Sequence, residues 1–199
     1  MRRLVTSLAL AALLAAAACS NQDNQVFGGV SAGSGSPTPD VLIPDVRSAI
    51  HAIGTVTNIR DGSTTQRSII VLSSADNLCN SLAKTPNYFK DGMAPEGYAA
   101  LVLMTPPNID GDFILEAQNK PDGQADVSFL AAYQKGPLAL LPGVQGDVSV
   151  AQFSTTDYAI GSFNIYVASS AGLAFVYGNY KTNYCAALGA PGTWVPRNH

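Results

Sequence analysis

The 199-residue chain carries 11 Lys and Arg residues against 14 Asp and Glu, a formal net charge of −3. Apolar residues make up 47% of the sequence, which excludes a wholly disordered chain. The mildly acidic balance, without a basic cluster, argues against nucleic acid as a partner. The length is sufficient for one domain with a hydrophobic core.

The first 18 residues have the organisation of a secretory signal peptide. Arg2 and Arg3 precede an apolar stretch from Leu4 to Ala18 that ends in three alanines. This stretch is shorter than the roughly 17 residues that a membrane-spanning helix needs. A positive start, a short apolar segment and small residues before the cleavage point are typical of an exported leader. We therefore predict a signal peptide at residues 1–18.

The residue directly after the alanines is Cys19. Ala16-Ala17-Ala18-Cys19 resembles the lipobox of bacterial lipoproteins, although Ala16 stands where that pattern usually has Leu, Val or Ile. The resemblance implies cleavage before Cys19, a diacylglyceryl group on its sulfur and a further acyl chain (such as palmitate) on its amine. Ser20 at the next position resembles lipoproteins that reach the outer membrane. We expect an exported protein anchored by lipid to the cell envelope; ordinary signal peptidase would instead leave a secreted protein with a free thiol.

Residues 20–40 consist largely of Ser, Gly, Asn, Gln, Asp and Pro. Such a composition buries too little apolar surface to offset the entropy of ordering. We predict that the lipidated Cys19 and a flexible linker occupy residues 19–40, and that the linker holds the rest of the chain off a bilayer. A single all-β domain is expected at residues 41–199.

From residue 46 onwards the apolar residues alternate mainly with a period of two, which indicates strands. In Tyr158–Val167, for example, one face is apolar and the other is mixed. Turn sequences such as Asp61-Gly62 and Asp110-Gly111 separate the segments. The predicted strands are Ala49–Ile59, Arg67–Ser73, Tyr98–Met104, Asp112–Ala117, Asp126–Gln134, Asp147–Phe153, Tyr158–Val167 and Gly172–Lys181. About eight short strands at this spacing favour a mainly β fold, an antiparallel sandwich or barrel, and we expect an antiparallel β-sandwich.

One segment breaks the strand pattern. Leu78 and Leu82 lie four residues apart, and Lys84 precedes Pro86. With a Ser cap and an acidic residue in the first turn, this predicts one short helix at about residues 75–84.

The cysteine count bears on the covalent framework. If Cys19 carries lipid, Cys79 and Cys185 remain as an even pair in an oxidising compartment, and we predict a disulfide between them. If Cys19 carries no lipid, one of the three thiols is left over.

Three short motifs add a second resemblance. The helix motif Asn77-Leu78-Cys79, the strand motif Gly161-Ser162-Phe163 and the final Asn183-Tyr184-Cys185 together resemble small uncharacterised exported bacterial lipoproteins. The resemblance implies a β-sandwich with a structural disulfide, and it supplies no activity.

The sequence offers little for catalysis. Its two histidines are His51, inside the first predicted strand, and His199, the last residue, and no Gly-x-Ser-x-Gly elbow is present. We expect His51 to be a surface or half-buried strand residue, and we predict no catalytic residue and no cofactor. The alternative is a secreted or surface-anchored hydrolase whose site is built from scattered loop residues.

Oxygen-bearing side chains alternate at Asn108, Asp110 and Asp112, as they do in calcium loops. The glycine comes two positions too early for a helix–loop–helix calcium site, and no Glu stands at the twelfth position. Asn119, Asp122 and Asp126 flank a neighbouring turn and would be needed to complete a shared site. Hairpin turns select Asn, Asp and Gly for backbone reasons. We therefore predict no metal, with calcium at Asn108, Asp110 and Asp112 as the alternative.

The last third of the chain is rich in aromatic residues. A face that includes Tyr158, Tyr166, Tyr177 and Tyr180 would stack on a glycan or hold an envelope protein. The alternative is that these are ordinary strand residues, with Phe163 and Phe175 directed inwards as core. The function we expect is a lipid-anchored envelope lipoprotein that acts as a non-enzymatic structural or binding module.

Overall fold

The computed structural model describes residues 25–30, 46–57, 63–85, 99–116, 126–131, 139–169 and 172–190. The predicted signal peptide, Cys19 and His199 lie outside these ranges. The strands are β1 Gln25–Val30, β2 Ser48–Thr57, β3 Thr64–Ser73, β4 Ala99–Thr105, β5 Gly111–Glu116, β6 Asp126–Ala131, β7 Ala139–Phe153, β8 Tyr158–Ser169 and β9 Gly172–Tyr184. One α-helix, α1 (Leu78–Lys84), and one 3₁₀ helix (Ala186–Gly189) accompany them in the described residues.

Each strand predicted from the alternating pattern is present as β2 to β9, so the mainly β prediction is confirmed. Strand β7 begins eight residues before the predicted Asp147. Pro142 and Gly143 interrupt the alternation in this part of the sequence, and the pairing of β7 with β8 shifts register between Gly143 and Gln145. Such a bulge lets one strand continue although its sequence pattern does not.

Strand β1 lies within the segment that we interpreted as linker. Gln25–Val30 pairs antiparallel with β9, from Gln25 opposite Asn179 to Val30 opposite Ala174. An edge strand gains stability from backbone hydrogen bonds to its neighbour, and every residue other than proline can donate and accept them. The local sequence therefore gave no indication of this strand.

The nine strands form one sheet in the order β1-β9-β2-β3-β4-β6-β7-β5, and β8 pairs with both β7 and β9. Seven strands of the sheet form a half-barrel. The sheet is mixed, because β2 and β9 run parallel where Ile50 and His51 meet Asn183 and Tyr184. The sheet is continuous, because β7 pairs with β5, β6 and β8, and β9 pairs with β1, β2 and β8.

Two hydrophobic cores lie on opposite sides of β3 and β4. The inner core joins Leu72 and Leu103 of these strands to Phe163, Ile165 and other residues of β7 to β9. The outer core joins the intervening residues of β3 and β4 to α1 and the 3₁₀ helix. All seven residues of β4 are buried, since both faces of the strand are covered.

A disulfide joins helix α1 to the end of β9. Cys79 of α1 is bonded to Cys185 at the end of β9, with their Cα atoms 5.8 Å apart. Helix α1 begins at Leu78 rather than near residue 75, and its N-cap, Asn77, makes no side-chain capping bond. Instead, the Leu78 N–H donates to the hydroxyl of Ser48 in β2 at 3.1 Å. The predicted disulfide is present, whereas the predicted local Ser cap is wrong because a residue 30 positions away accepts that bond.

Replacing both Cys79 and Cys185 by Ser should lower the free energy of unfolding by about 3 kcal/mol and the Tm by several degrees. The bond spans 106 residues, and its loss releases a large loop in the unfolded chain. Thermal and urea unfolding measure the change. A Cys19→Ala variant is the control and should keep the wild-type Tm. Two reactive thiols at these positions in unreduced, denatured wild-type protein would contradict the bond.

Candidate functional site

The internal histidine is buried between hydrogen-bonding groups and aromatic rings. His51 of β2 is fully buried rather than half-buried or at the surface. Its Nε2 lies 2.7 Å from the Ser154 carbonyl oxygen, and its Nδ1 lies 2.9 Å from the Thr182 hydroxyl. The rings of Phe153 and Tyr184 contact it edge-on at centroid distances of 5.0 and 5.8 Å. The end of β9 and the β7–β8 turn cover this face of β2, which strand alternation alone does not indicate.

The hydrogen bonds determine the tautomer of His51. A carbonyl oxygen can only accept, so Nε2 carries the proton that bonds to Ser154. Nδ1 of the neutral ring then accepts from the Thr182 hydroxyl at 2.9 Å, which is nearer than the other acceptor of that hydroxyl, the Ala159 carbonyl oxygen at 3.3 Å. Burial lowers the pKa of His51 below its ordinary value of 6.5, while the bond to Ser154 and the carboxylate of Asp157 oppose this shift. The folded protein therefore favours the neutral ring.

This arrangement is not that of a hydrolase triad. The hydroxyl beside His51 belongs to Thr182, which is itself fully buried, and the Ser154 contact uses a backbone carbonyl. The Ser154 hydroxyl accepts from the N–H groups of Thr156 and Asp157 within the β7–β8 turn. A substrate would need access to an activated hydroxyl, and this pocket exposes none. The geometry is that of a structural link between β2, β9 and the turn.

The free energy of unfolding should decrease at acidic pH because of His51. Because its pKa is lower in the folded than in the unfolded chain, this contribution is complete above pH 6.5 and declines as the pH falls below it. The decline should be at most about 1.4 kcal/mol per pH unit. Urea unfolding of wild type and His51→Gln across this range isolates the effect, since Gln does not titrate. Parallel pH profiles for the two proteins would contradict the assignment.

The described residues do not bring the calcium candidates together with other acidic side chains. Asn108, Asp110 and Asp112 are all exposed. Asn108 adopts a left-handed backbone with φ of 55°, which Asn tolerates well, and its N–H donates to the Ser68 hydroxyl at 2.9 Å. Among the described residues, no group of three His, Cys, Asp or Glu side chains is placed to hold a metal ion. Asp126 lies in β6 opposite Met104, while Asn119 and Asp122 lie outside the described residues.

The four predicted face tyrosines are divided between two environments. Tyr180 is 1% exposed and belongs to the inner core, so its assignment to a binding face is wrong. Its hydroxyl donates to the Ser149 carbonyl oxygen at 3.0 Å, and burial raises its pKa well above the ordinary value. The Tyr180 ring packs against Gly161, and a Cβ added at this glycine would lie 2.5 Å from the ring carbon Cζ. The glycine therefore makes room for the tyrosine.

On the outer face, Tyr166 of β8 and Tyr177 of β9 are exposed. Phe175 lies between them and is half-buried on this face; of the two residues that the alternative directed inwards, only Phe163 is in the core. The Phe175 ring centroid is 5.0 Å from that of Tyr166 and 5.3 Å from that of Tyr177. We call these three residues the aromatic cluster. Tyr158 lies at the other end of β8, with the Lys181 ammonium 5.4 Å from its ring centroid.

Side-chain parity explains this division. Tyr177 and Tyr180 are three residues apart, so a regular strand must place them on opposite faces. Phe175 and Tyr177 are two apart and must share a face. For β9 as one uninterrupted strand, alternation alone places Phe175 on the face of Tyr177 and Tyr180 on the opposite face.

The surroundings of the cluster differ on its two sides. On the β7 side, Tyr166 is paired with Gln145. Tyr177 is paired with Asn164 of β8, and Asn164 is paired in turn with Asp147 of β7. On the other side, the backbone of β1 runs alongside Phe175 and Tyr177. Leu173, which is 50% exposed, lies on the same face of β9 two residues before Phe175. The cluster thus has an apolar extension along β9 and polar neighbours on β7.

Comparisons with known proteins add no relative: no family model, no curated protein and no solved structure matches this chain. No helix within the described ranges is long and apolar enough to span a membrane.

The hydroxyls of Tyr180 and Tyr166 should contribute differently to stability. Tyr180→Phe removes a part-buried hydrogen bond and leaves the Ser149 carbonyl oxygen without this donor, which should cost about 1 kcal/mol. Tyr166→Phe removes an exposed hydroxyl and should change the free energy of unfolding by less than about 0.5 kcal/mol. Urea unfolding of the two variants makes the comparison. Equal losses would show that Tyr180 is not the buried member of the pair.

Proposed function

We propose that this protein is an exported, lipid-anchored envelope lipoprotein that acts as a non-enzymatic structural or binding module. The observation that carries this proposal is the aromatic cluster, which lies exposed on the outer face of β8 and β9. Exposed aromatic side chains that adjoin one another on a sheet provide apolar contact area together with polar hydroxyls. The internal histidine, by contrast, is buried among structural contacts.

The cysteine pairing supports export. Disulfides persist mainly in oxidising compartments outside the cytosol. With Cys79 and Cys185 bonded to each other, Cys19 is the remaining cysteine of the three. It follows three alanines directly, as the lipid-carrying residue of a lipobox would. Two or three acyl chains exceed the marginal hold of one chain, so anchoring through Cys19 would be stable. The outer membrane remains the proposed destination.

We also propose that the sheet folds into the two layers of a β-sandwich. Strands β2, β3, β4 and β6 would form one layer over the inner core, and β5 with β7 to β9 would form the other. The distribution of the inner core supports this, since its residues come from both groups of strands. In this arrangement the aromatic cluster occupies the solvent side of the second layer.

The rival proposal is a hydrolase with a site built from loop residues. It would need a positioned base or metal next to an accessible nucleophile. Asp110, directly before β5, and Asp112, within it, are exposed, and neither pairs with a histidine in any contact we observe. Nothing in the described residues favours this rival over a contact-based function. Turnover of an esterase, glycosidase or peptidase substrate that disappears in His51→Ala would overturn the non-enzymatic proposal.

Cys19→Ala should move the protein from the membrane fraction to the soluble fraction. The physical reason is that the acyl chains on Cys19 provide the anchor. Fractionation of cells that express wild type and variant measures the shift, and mass spectrometry of the mature N-terminus identifies the modification. The Cys19→Ala protein should keep the wild-type Tm, which separates loss of the anchor from loss of the fold. A wild-type protein that is soluble with unmodified Cys19 would contradict the proposal.

A further inference from the structure

Because the sheet already includes β1, the segment that connects the proposed lipid anchor to the folded domain is short. Only Ser20–Asn24, five residues, lie between Cys19 and the first residue of β1. Whatever its conformation, a chain of that length places Cys19 no more than about 20 Å from Gln25. A linker running uninterrupted to residue 40 would have allowed a much larger separation. This step rests on the proposed lipidation of Cys19.

The aromatic cluster lies next to the strand that this short segment enters. Gln25 is paired with Asn179, and Tyr177 lies two residues before Asn179 in β9. At the rise of a strand, Tyr177 and Phe175 lie about 7 and 13 Å from Asn179. A bilayer that holds the acyl chains of Cys19 would therefore lie within reach of the cluster. Leu173 extends the exposed apolar surface beyond Phe175 on the same face.

We propose that the aromatic cluster, together with Leu173, rests on the lipid surface that holds the anchor. Tyr residues have an apolar ring and a polar hydroxyl, and they are enriched where hydrocarbon meets water. The anchor supplies a high effective concentration, so a contact that is weak by itself suffices to orient the domain. The cluster then determines which side of the domain faces the membrane.

The packing of the rings favours a lipid surface over a glycan. Phe175 and Tyr177 have planes only 26° apart at a centroid distance of 5.3 Å, so the rings stack on each other. Offset stacking covers part of one face of each ring, which reduces the ring surface on which a sugar could stack. An interfacial contact needs only exposed apolar edges and hydroxyls. A glycan is therefore an outcome that the experiment must test and not the partner we propose.

The charges near the cluster indicate which lipids suit it. Asp147 and, one strand further, Asp112 lie on the same outer face towards β5. Lys181 lies on this face towards the end of β9, with its ammonium over the Tyr158 ring, so the two carboxylates outnumber that ammonium. Carboxylates are repelled by an anionic leaflet. The proposal therefore commits to a surface of zwitterionic headgroups, and contact should weaken when anionic lipid is added.

Spin labels on the mature lipidated protein, bound to phosphatidylcholine vesicles, test this contact. The label is attached at Leu173→Cys, and at Ile109→Cys as the matched control, because the two side chains are 50% and 52% exposed. The label at position 173 should gain collisions with dissolved oxygen and lose collisions with an aqueous nickel chelate. The label at position 109 should show neither change. Tyr166→Cys replaces Leu173→Cys if the latter lowers the Tm.

Each outcome separates the inference from the proposed function. A lipidated, vesicle-bound protein whose label at position 173 stays aqueous would overturn the membrane contact and leave the anchored function standing. An unmodified Cys19 would overturn both. Deeper immersion in vesicles with added phosphatidylglycerol would contradict the role of the carboxylates. Saturable binding to a neutral polysaccharide that is lost in Tyr177→Ala, but not in Ile109→Ala, would assign the cluster to a glycan instead.

Discussion

The arrangement of this protein depends on the hydrogen bonding of β9, which pairs with three other strands. It pairs with β8 along nearly its whole length and with β1 from Ala174 to Asn179, and its last two residues run parallel to β2. This last contact joins the two sides of the curved sheet. Its alternating side chains place Val176 and Tyr180 in the inner core and Phe175 and Tyr177 at the surface. A shift of one residue in the β8–β9 register would exchange these two sets.

The end of β9 also controls the outer layer. Immediately after its last residue, Cys185 bonds to α1, and its N–H donates to the His51 carbonyl oxygen at 2.8 Å. Helix α1 and the 3₁₀ helix then cover the outward side of β3 and β4. A helix of only seven residues is marginal on its own. It is stable here because it buries Leu78 and Leu82, bonds to Ser48 and is covalently attached to β9.

The two faces of β9 differ in the accessibility of their polar groups. His51 and Thr182 have their hydrogen-bonding capacity satisfied inside the domain, where they join β2 and β9 to the β7–β8 turn. The aromatic cluster lies on the opposite side of β9 from the core. A histidine among apolar strand residues is thus a packing element here, and surface contact is the property that the outer face offers.

Chain-local features were predictable from the sequence. The period-two alternation located β2 to β9, the spacing of Leu78 and Leu82 located α1, and cysteine parity predicted the disulfide. Each of these signals reflects a local rule, because a strand or helix face must be apolar wherever it is buried. The two faces of β8 were also correct, from Ala159 on the buried side to Tyr166 on the exposed side.

Only the tertiary structure decided which surfaces are covered and by what. Strand β1 exists because β9 offers it an edge, His51 is buried because a distant turn covers it, and α1 begins where Ser48 accepts its first bond. The sheet closes into one curved unit through the parallel contact between β2 and β9. These contacts join residues far apart in the chain, and they depend on the three-dimensional arrangement rather than on any local pattern. The sequence by itself therefore determined the elements and their faces, whereas the fold determined their neighbours.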